Sequence, residues 1–464
     1  MMLRILQQYY PVRNIAFMLG EGFFIYFSVV LSNWLLVDNS VSVYLLFSRK
    51  AILITTICIV CLYYNDLYDL QVIDTYSELI IRLLQALGFS SIILAVIFFS
   101  FPGMIISRWA YIFSVVLAIF LIFAWRIAYT FILDRGVFNQ KIIIMGSGDL
   151  AQNIYDEITD KKDCGYEIAM VVTEAGAPSL QKPEKIPALP LADCDHLLES
   201  TRRLDIKKII VALKEKRNRF PLKVLLDCRV RGIDVIEGNS FYETLTGKLS
   251  VEQLNPGWLI FSEGFRHSHV KRYLKRLLDL AISAGMIIVL FPLIVFLAII
   301  IKLESRGPIL FSQERVGEKR KPYRVYKFRS MVNDAEKLSG PKWAEDDDPR
   351  ITRVGKFIRK WRLDELPQLW NVLKGDMSFV GPRPEREFFV KKLEKDIPYY
   401  GKRFTVKPGL TGWAQVSYGY GASVADAVEK LNYELFYIKN MSLLMDIVIV
   451  FRTVKTVLFG RGAR

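Results

Sequence analysis

The 464-residue sequence predicts three parts in series. They are a membrane α-helical bundle (1–138), an α/β Rossmann-like domain (139–254) and a mostly α domain (265–464) with a re-entrant membrane helix at 277–303. Three observations predict them. Hydrophobic residues make up 52% of the chain, and four long apolar runs crowd its first third. Short β-branched runs then alternate with helical patterns. A fifth apolar run follows, flanked by basic residues on both sides.

The first four runs lie near 14–37, 44–64, 80–102 and 107–133. Each approaches the roughly 20 residues that a spanning helix needs. Arg49 and Lys50 interrupt the second, whose apolar core begins at Ala51. Arg4 and Arg13 precede the first run, and Arg135 and Lys141 follow the fourth. Basic flanks favour both ends in the cytoplasm, and an even number of spans agrees with that.

In the middle segment, Lys141–Met145, Ile168–Thr173 and Lys208–Ala212 read as buried strands. Val235-Ile236 opens a short fourth, after an amphipathic helix around Leu222–Arg231. Strands alternating with helices imply a parallel sheet. Gly146-Ser147-Gly148-Asp149-Leu150-Ala151 follows the first strand as a Gly-x-Gly-x-x-Ala turn. Such a turn admits a phosphate at a helix N-terminus, but Asp149 sets a carboxylate where a pyrophosphate would lie. A purely structural turn and a nucleotide site both stand on these residues.

Leu277–Leu303 is long enough to span, yet three features predict that it dips and returns. Pro292 lies mid-run, where it removes a helix hydrogen bond and predicts a break between two helices. Lys271, Arg272, Lys275 and Arg276 stand before the run, with Lys302 and Arg306 after it, favouring the same membrane face for both ends. A crossing would also separate the residues after it from the cytoplasm.

Net charge is +15, and from Phe265 onward there are 37 Lys+Arg against 21 Asp+Glu, so the excess belongs to the C-terminal part. Beside an apolar bundle this suits an anionic membrane face or phosphorylated substrates; no nucleic-acid partner is needed to account for it. The five cysteines have neither a disulfide nor a metal-ligand pattern. His267 and His269 read as surface, and Glu345–Asp348 as a solvated acidic loop with metal binding as the lesser reading.

Chemistry concentrates between Arg359 and Pro384. Asp364-Glu365 lies ahead of an apolar helical run, Leu366, Leu369, Trp370 and Leu373, closed by Gly375. Arg359, Lys360 and Arg362 precede the pair, and Gly381-Pro382-Arg383-Pro384 presents an arginine after it. Carboxylates ringed by arginine suit phosphate chemistry, because guanidinium forks bind phosphate oxygens in two places at once.

This stretch resembles the catalytic motif of the bacterial monotopic phosphoglycosyl transferases, the polyprenyl-phosphate sugar-1-phosphate transferases. The likeness runs from about Lys271 to the C-terminus. It includes Gln313–Gly317, Tyr326–Met331, Asp348–Thr352 and Lys407–Trp413, in order and at similar spacing. The family's helix break commonly reads Ser-Pro, where this chain has Phe291-Pro292. The resemblance implies a large form, similar to undecaprenyl-phosphate glucose or galactose phosphotransferases, whose middle domain is non-catalytic.

It also implies the roles. Asp364 would be the nucleophile on the β-phosphate of a UDP-sugar and Glu365 would act on undecaprenyl phosphate, with UMP released. Mg²⁺ would bridge Asp364 and the diphosphate. Lys327, Arg329, Arg359, Arg383 and Pro384 match positions near the phosphates, and Pro292 the hinge. The expected setting is the bacterial inner membrane, multi-pass, with the catalytic domain on the cytoplasmic face; a homodimer is a possible assembly. Two rivals remain at this stage: a membrane-anchored nucleotide sensor or scaffold with an inert C-terminal domain, and an oxidoreductase built on the middle domain.

Overall fold

The computed structural model describes the chain except for residues 1, 6–7, 37–40, 69–75, 105, 135–138, 161–163, 175–179, 181–185, 214–219, 255–256, 258–263, 266–267, 333–347, 420, 422 and 459–464. After a short ribbon of β1 (Met2–Ile5) and β2 (Gln8–Pro11) come four long helices. These are α1 (Val12–Leu36), α2 (Val41–Tyr64), α3 (Tyr76–Ser100) and α4 (Arg108–Asp134), at the expected places. Ile15–Leu36, Ser77–Ser100 and Arg108–Ile132 are long and apolar enough to cross a membrane. Inside the bundle Arg126 Nε meets the fully buried Glu21 carboxylate at 2.6 Å. Its Nη1 donates to the Leu67 carbonyl at 2.8 Å. An unpaired charge among these apolar helices would be expensive, so each of the two residues requires the other.

The middle sheet is parallel, in the order β5-β4-β3-β6-β7. It consists of β3 (Gln140–Met145), β4 (Tyr166–Thr173), β5 (Ala188–Pro190), β6 (Lys208–Val211) and β7 (Asp234–Glu237). Helices α5 (Asp149–Asp160), α6 (Leu197–Arg203) and α7 (Leu222–Val230) connect strands. Ile142–Met145 are wholly buried because both faces of the central strand are covered. The edge strand β5 was not legible in the sequence: three residues ending in proline carry no periodic signal.

The chain divides into two compact units near Gly238/Asn239. Residues 239–254, placed by the sequence reading with the middle sheet, pack in the second unit. There Lys439 Nζ reaches Glu243, on α8 (Gly238–Thr246), at 2.5 Å; Lys248 Nζ reaches Glu429 at 2.6 Å; and Trp413 Nε1 donates to the Gly247 carbonyl at 2.8 Å. All five cysteines are free and buried.

The fifth apolar run differs from expectation. It is one helix, α9 (His269–Glu304), unbroken through Pro292. A single proline costs this helix one N–H donor, while the remaining apolar residues keep the ladder on either side. The expected helix-break-helix is therefore corrected to a continuous helix containing proline. Both of its ends nevertheless engage the same unit. Near the start, Arg276 donates to the Val372 and Leu373 carbonyls at 2.6 and 2.7 Å, and Lys275 to Asp446 at 2.8 Å. Near the end, Leu297 and Ile301 are buried in that unit's core. Between them Met286, Leu290 and Leu293 pack on the core, while Ile288, Phe291, Val295, Ile299 and Leu303 form an exposed apolar stripe.

The rest of this unit begins with an antiparallel hairpin, β8 (Leu310–Val316) and β9 (Pro322–Phe328). Helices α10 (Arg353–Lys360), α11 (Gln368–Lys374) and α12 (Glu387–Asp396) follow, then the short α13 (Trp413–Ser417), α14 (Val424–Asn440) and α15 (Leu443–Leu458). A two-stranded parallel pair, β10 (Ser378–Val380) and β11 (Gly409–Thr411), ties the Gly-Pro-Arg-Pro turn to Pro-Gly-Leu-Thr-Gly.

Candidate active site

Asp364 and Glu365 lie on a one-turn 3₁₀ helix, Leu363–Glu365, rather than in the first turn of α11. Neighbouring side chains there diverge by about 120°, since the 3₁₀ helix has three residues per turn. The adjacent carboxylates thus meet different surroundings. Arg362, just before them, takes a left-handed conformation at φ 52°, a strain that functional turns tolerate when the fold around them is rigid. Rigidity comes from α11, whose Leu369, Asn371 and Val372 are fully buried, and whose Asn371 amide bonds the Tyr326 and Arg324 backbone of β9. Gly375 closes that helix at φ 96°, as expected. Trp370, counted in the apolar run, is instead 60% exposed.

The two carboxylates, both buried, are treated oppositely. Lys327 Nζ lies 2.9 Å and Arg383 Nη2 2.8 Å from Glu365 Oε1, with Arg362 Nη1 3.7 Å from Oε2. Burial acts against the Glu365 charge, but Arg383, Lys327 and Arg362 together hold its carboxyl well below the usual range. Asp364 makes no hydrogen bond or ion pair with any described residue. Burial is the largest influence on it and raises its pKa, aided by the charge on Glu365, while Lys327, Arg359 and Arg383 oppose the rise. The site therefore holds one clamped anion and one unpartnered carboxyl.

Of the residues expected near phosphates, Lys327 and Arg383 meet the dyad directly, and Arg359 acts on Asp364 through its field. Pro384 shapes the turn, its carbonyl accepting from Arg315 Nη1 at 3.2 Å. Arg329 is placed elsewhere. Its guanidinium is buried against the end of α9 and donates to the carbonyls of Ser305, Arg306 and Ile301. It satisfies orphan carbonyls at a helix C-terminus, the arrangement of a cap. Asp348 likewise leaves the expected solvated loop: it is buried and bidentate with Arg350. Glu345, Asp346, Asp347 and His267 lie outside the described residues.

Sequence reasoning missed the support behind Arg383. Arg403 Nη2 donates to the Arg383 carbonyl at 2.7 Å and to Glu434 Oε1 at 2.8 Å, and Glu434 accepts from the Arg383 amide. Neither residue stands in a motif. The glycines of the turn carried a signal: a Cβ on Gly381 would come within 2.5 Å of the Lys407 carbonyl, so the two motif blocks must touch. Beside the dyad an open cavity is bordered by Arg362 and Arg383 and runs toward Gln415, Tyr418 and Lys430.

Comparison with known proteins accords with this geometry. A bacterial sugar transferase family model matches residues 270–460. The undecaprenyl-phosphate galactose phosphotransferase of Salmonella typhimurium is 32% identical over 379 residues, 77% of this chain and 76% of that protein. The chain belongs to the bacterial sugar transferase family, whose members are phosphoglycosyl transferases.

Two more relatives match shorter parts of the chain. A UDP-N-acetylgalactosamine-undecaprenyl-phosphate N-acetylgalactosaminephosphotransferase from Aeromonas hydrophila is 44% identical over 242 residues, and the chain spans 56% of its length. The UDP-glucose:undecaprenyl-phosphate glucose-1-phosphate transferase of Escherichia coli is 42% identical over 192 residues, 40% of each chain. A CoA-binding domain model matches residues 63–236, which include the middle sheet. In this sugar transferase the Gly146 turn has a packing reason of its own: at φ 132°, a Cβ there would lie 2.4 Å from the Ala212 carbonyl.

Proposed function

We propose that this sugar transferase moves a hexose-1-phosphate from a UDP-sugar to undecaprenyl phosphate in two steps, releasing UMP. The observation that carries the reading is the asymmetry of the dyad. In the first step an Asp364 carboxylate oxygen attacks the β-phosphorus. The bond from that phosphorus to the bridging oxygen breaks, UMP leaves, and an acyl phosphate holds the sugar. In the second, an oxygen of the lipid phosphate attacks the same phosphorus and frees the carboxylate.

Clamped as it is, Glu365 is a weak base, because its proton affinity is far below neutral. Incoming phosphates compete for Lys327 and Arg383. As those cations turn to phosphate oxygens, burial raises the proton affinity of Glu365 at the stage when the lipid phosphate must be deprotonated and aimed. Asp364 fits one contact to Mg²⁺, since this buried carboxyl has no described partner and magnesium favours one or two carboxylates plus substrate phosphates. Bound there, the ion would supply charge neutralisation for the diphosphate.

The setting proposed is the inner membrane, with several spans and the dyad on the cytoplasmic face. The exposed stripe of α9 and the Leu444, Ile447, Phe451 and Val454 stripe of α15 both suit contact with lipid. The purified protein, given Mg²⁺, undecaprenyl phosphate and UDP-glucose, UDP-galactose or UDP-N-acetylgalactosamine in turn, should release UMP with at least one sugar. Glu365→Gln should still give a UMP burst without lipid product. Silence across a panel of UDP-sugars overturns the reading, and a missing burst overturns the division between the two carboxylates.

A further inference from the structure

The cavity beside the dyad contains a side chain that the chemistry above does not use. Gln415 borders it, and both its amide oxygen and its amide nitrogen are buried without a hydrogen-bond partner among the described residues. A buried carboxamide left wholly unpaired is costly, and native folds rarely keep one without a reason. Its position is tightly determined. Gly412, the residue just before α13, approaches the Gly381 carbonyl so closely that a Cβ would stand 2.2 Å from it, and Trp413 is anchored to Gly247. Gln415 is therefore held in fixed relation to the turn that delivers Arg383 to Glu365.

The rest of the wall indicates what enters. Leu393, Tyr400, Ala414 and Ala427 offer apolar surface, while Arg362, Arg383, Arg403 and Lys430 supply positive charge that outnumbers the carboxylates of Glu385 and Glu434. A flat heterocycle joined to phosphates matches that combination. A hexose, with hydroxyls around its ring, would need many more polar partners. We propose that Gln415 reads the uracil edge of the UDP-sugar. Its oxygen would accept from the ring N3–H while its nitrogen donates to a neighbouring carbonyl oxygen, as carboxamides pair with bases elsewhere. The phosphates would then extend past Lys430 and Arg383 toward Asp364, leaving the sugar on the far side of the β-phosphorus. This assignment rests on the transferase reading and adds the nucleobase subsite to it.

Gln415→Met, similar in shape and without hydrogen-bonding groups, is the test in the full-length protein. UMP affinity by titration calorimetry should fall about 10- to 100-fold, the worth of one bidentate amide–base pair. KM for every accepted UDP-sugar should rise by a similar factor, with kcat at saturation nearly unchanged. The melting temperature of the ligand-free protein should not fall, because the amide removed had no partner. Should that variant fold poorly, Gln415→Glu keeps the shape and loses the donor, so UMP binding should weaken in it too. Unchanged UMP affinity, or unchanged UMP affinity with altered preference among sugars, overturns the inference while leaving the transferase reading intact. A wild-type protein that neither binds UMP nor releases it from any UDP-sugar defeats the transferase reading itself.

Discussion

Two turns in this molecule invite the same ligand and are built quite differently. Gly146–Asp149 leads from a buried parallel strand into a helix, the arrangement that often receives phosphate. Its glycine is explained by the close approach of Ala212, the Ser147 hydroxyl accepts from the Glu174 amide, and an acid opens the helix. The turn at Leu363–Glu365 has no glycine and a strained arginine, but Lys327, Arg362 and Arg383 converge on it from three segments. A helix N-terminus offers only a partial charge, whereas converging cations in a buried site can neutralise a diphosphate. Phosphate chemistry is thus better inferred from what surrounds a turn than from the turn's own shape.

The sharpest way to break this comparison is Asp364→Asn. Turnover should fall by ~10³-fold or more, as for loss of a nucleophile. Stability should move the other way. Because burial raises the Asp364 pKa above its unfolded value, the folded state binds its proton more tightly. Stability then declines as pH rises through the window between the unfolded and folded pKa values. The asparagine variant escapes that decline, so at neutral pH its melting temperature should equal or exceed the wild type's. A melting temperature lowered by several degrees would show that the ionised carboxylate holds the turn together.

Arg383→Ala should come next, costing roughly 100-fold in kcat/KM, the scale of one lost charge-stabilising donor. It also releases Glu365 from its clamp. The acidic limb of the pH–rate profile should therefore move to higher pH, and an unmoved limb would deny Arg383 its part in setting that carboxyl.

Truncation sharpens the comparison at the level of whole domains. A chain beginning at Asn239 keeps Glu243, Gly247 and Lys248, which the second unit uses, and should retain turnover within about threefold in detergent. A chain beginning at Phe265 loses the buried Lys439–Glu243 ion pair and should unfold at lower temperature, since breaking a buried pair is costly. Equal melting temperatures for the two would show that 239–254 contributes nothing to this unit.

The smallest effect is expected at the other turn. Asp149→Asn should change sugar-phosphate transfer by less than about twofold, measured by UMP release. A loss comparable to that at Arg383 would mean the middle sheet takes part in the reaction, and the contrast between the turns would collapse.

The sequence alone determined the four long helices, the parallel sheet and the dyad, because each rests on short-range pattern. Apolar runs of spanning length, β-branched runs between helical ones, and Asp364-Glu365 before Leu366 and Leu369 can all be read without knowing what lies opposite. Tertiary structure decided what depends on partners distant in sequence. Arg329 and Lys327 are two residues apart, a spacing that in a continuous strand would set both on one face, yet one caps the end of α9 and the other clamps Glu365, because β9 ends at Phe328 and Arg329 lies beyond it. It also decided that α9 continues through Pro292, that 239–254 pack in the C-terminal unit, and that Arg403 and Glu434 brace the Arg383 turn. Only the assembled fold reveals that Glu365 is held by three cations while its neighbour Asp364 has no described partner, since the field at a buried carboxylate is set by groups that the chain brings together only when folded.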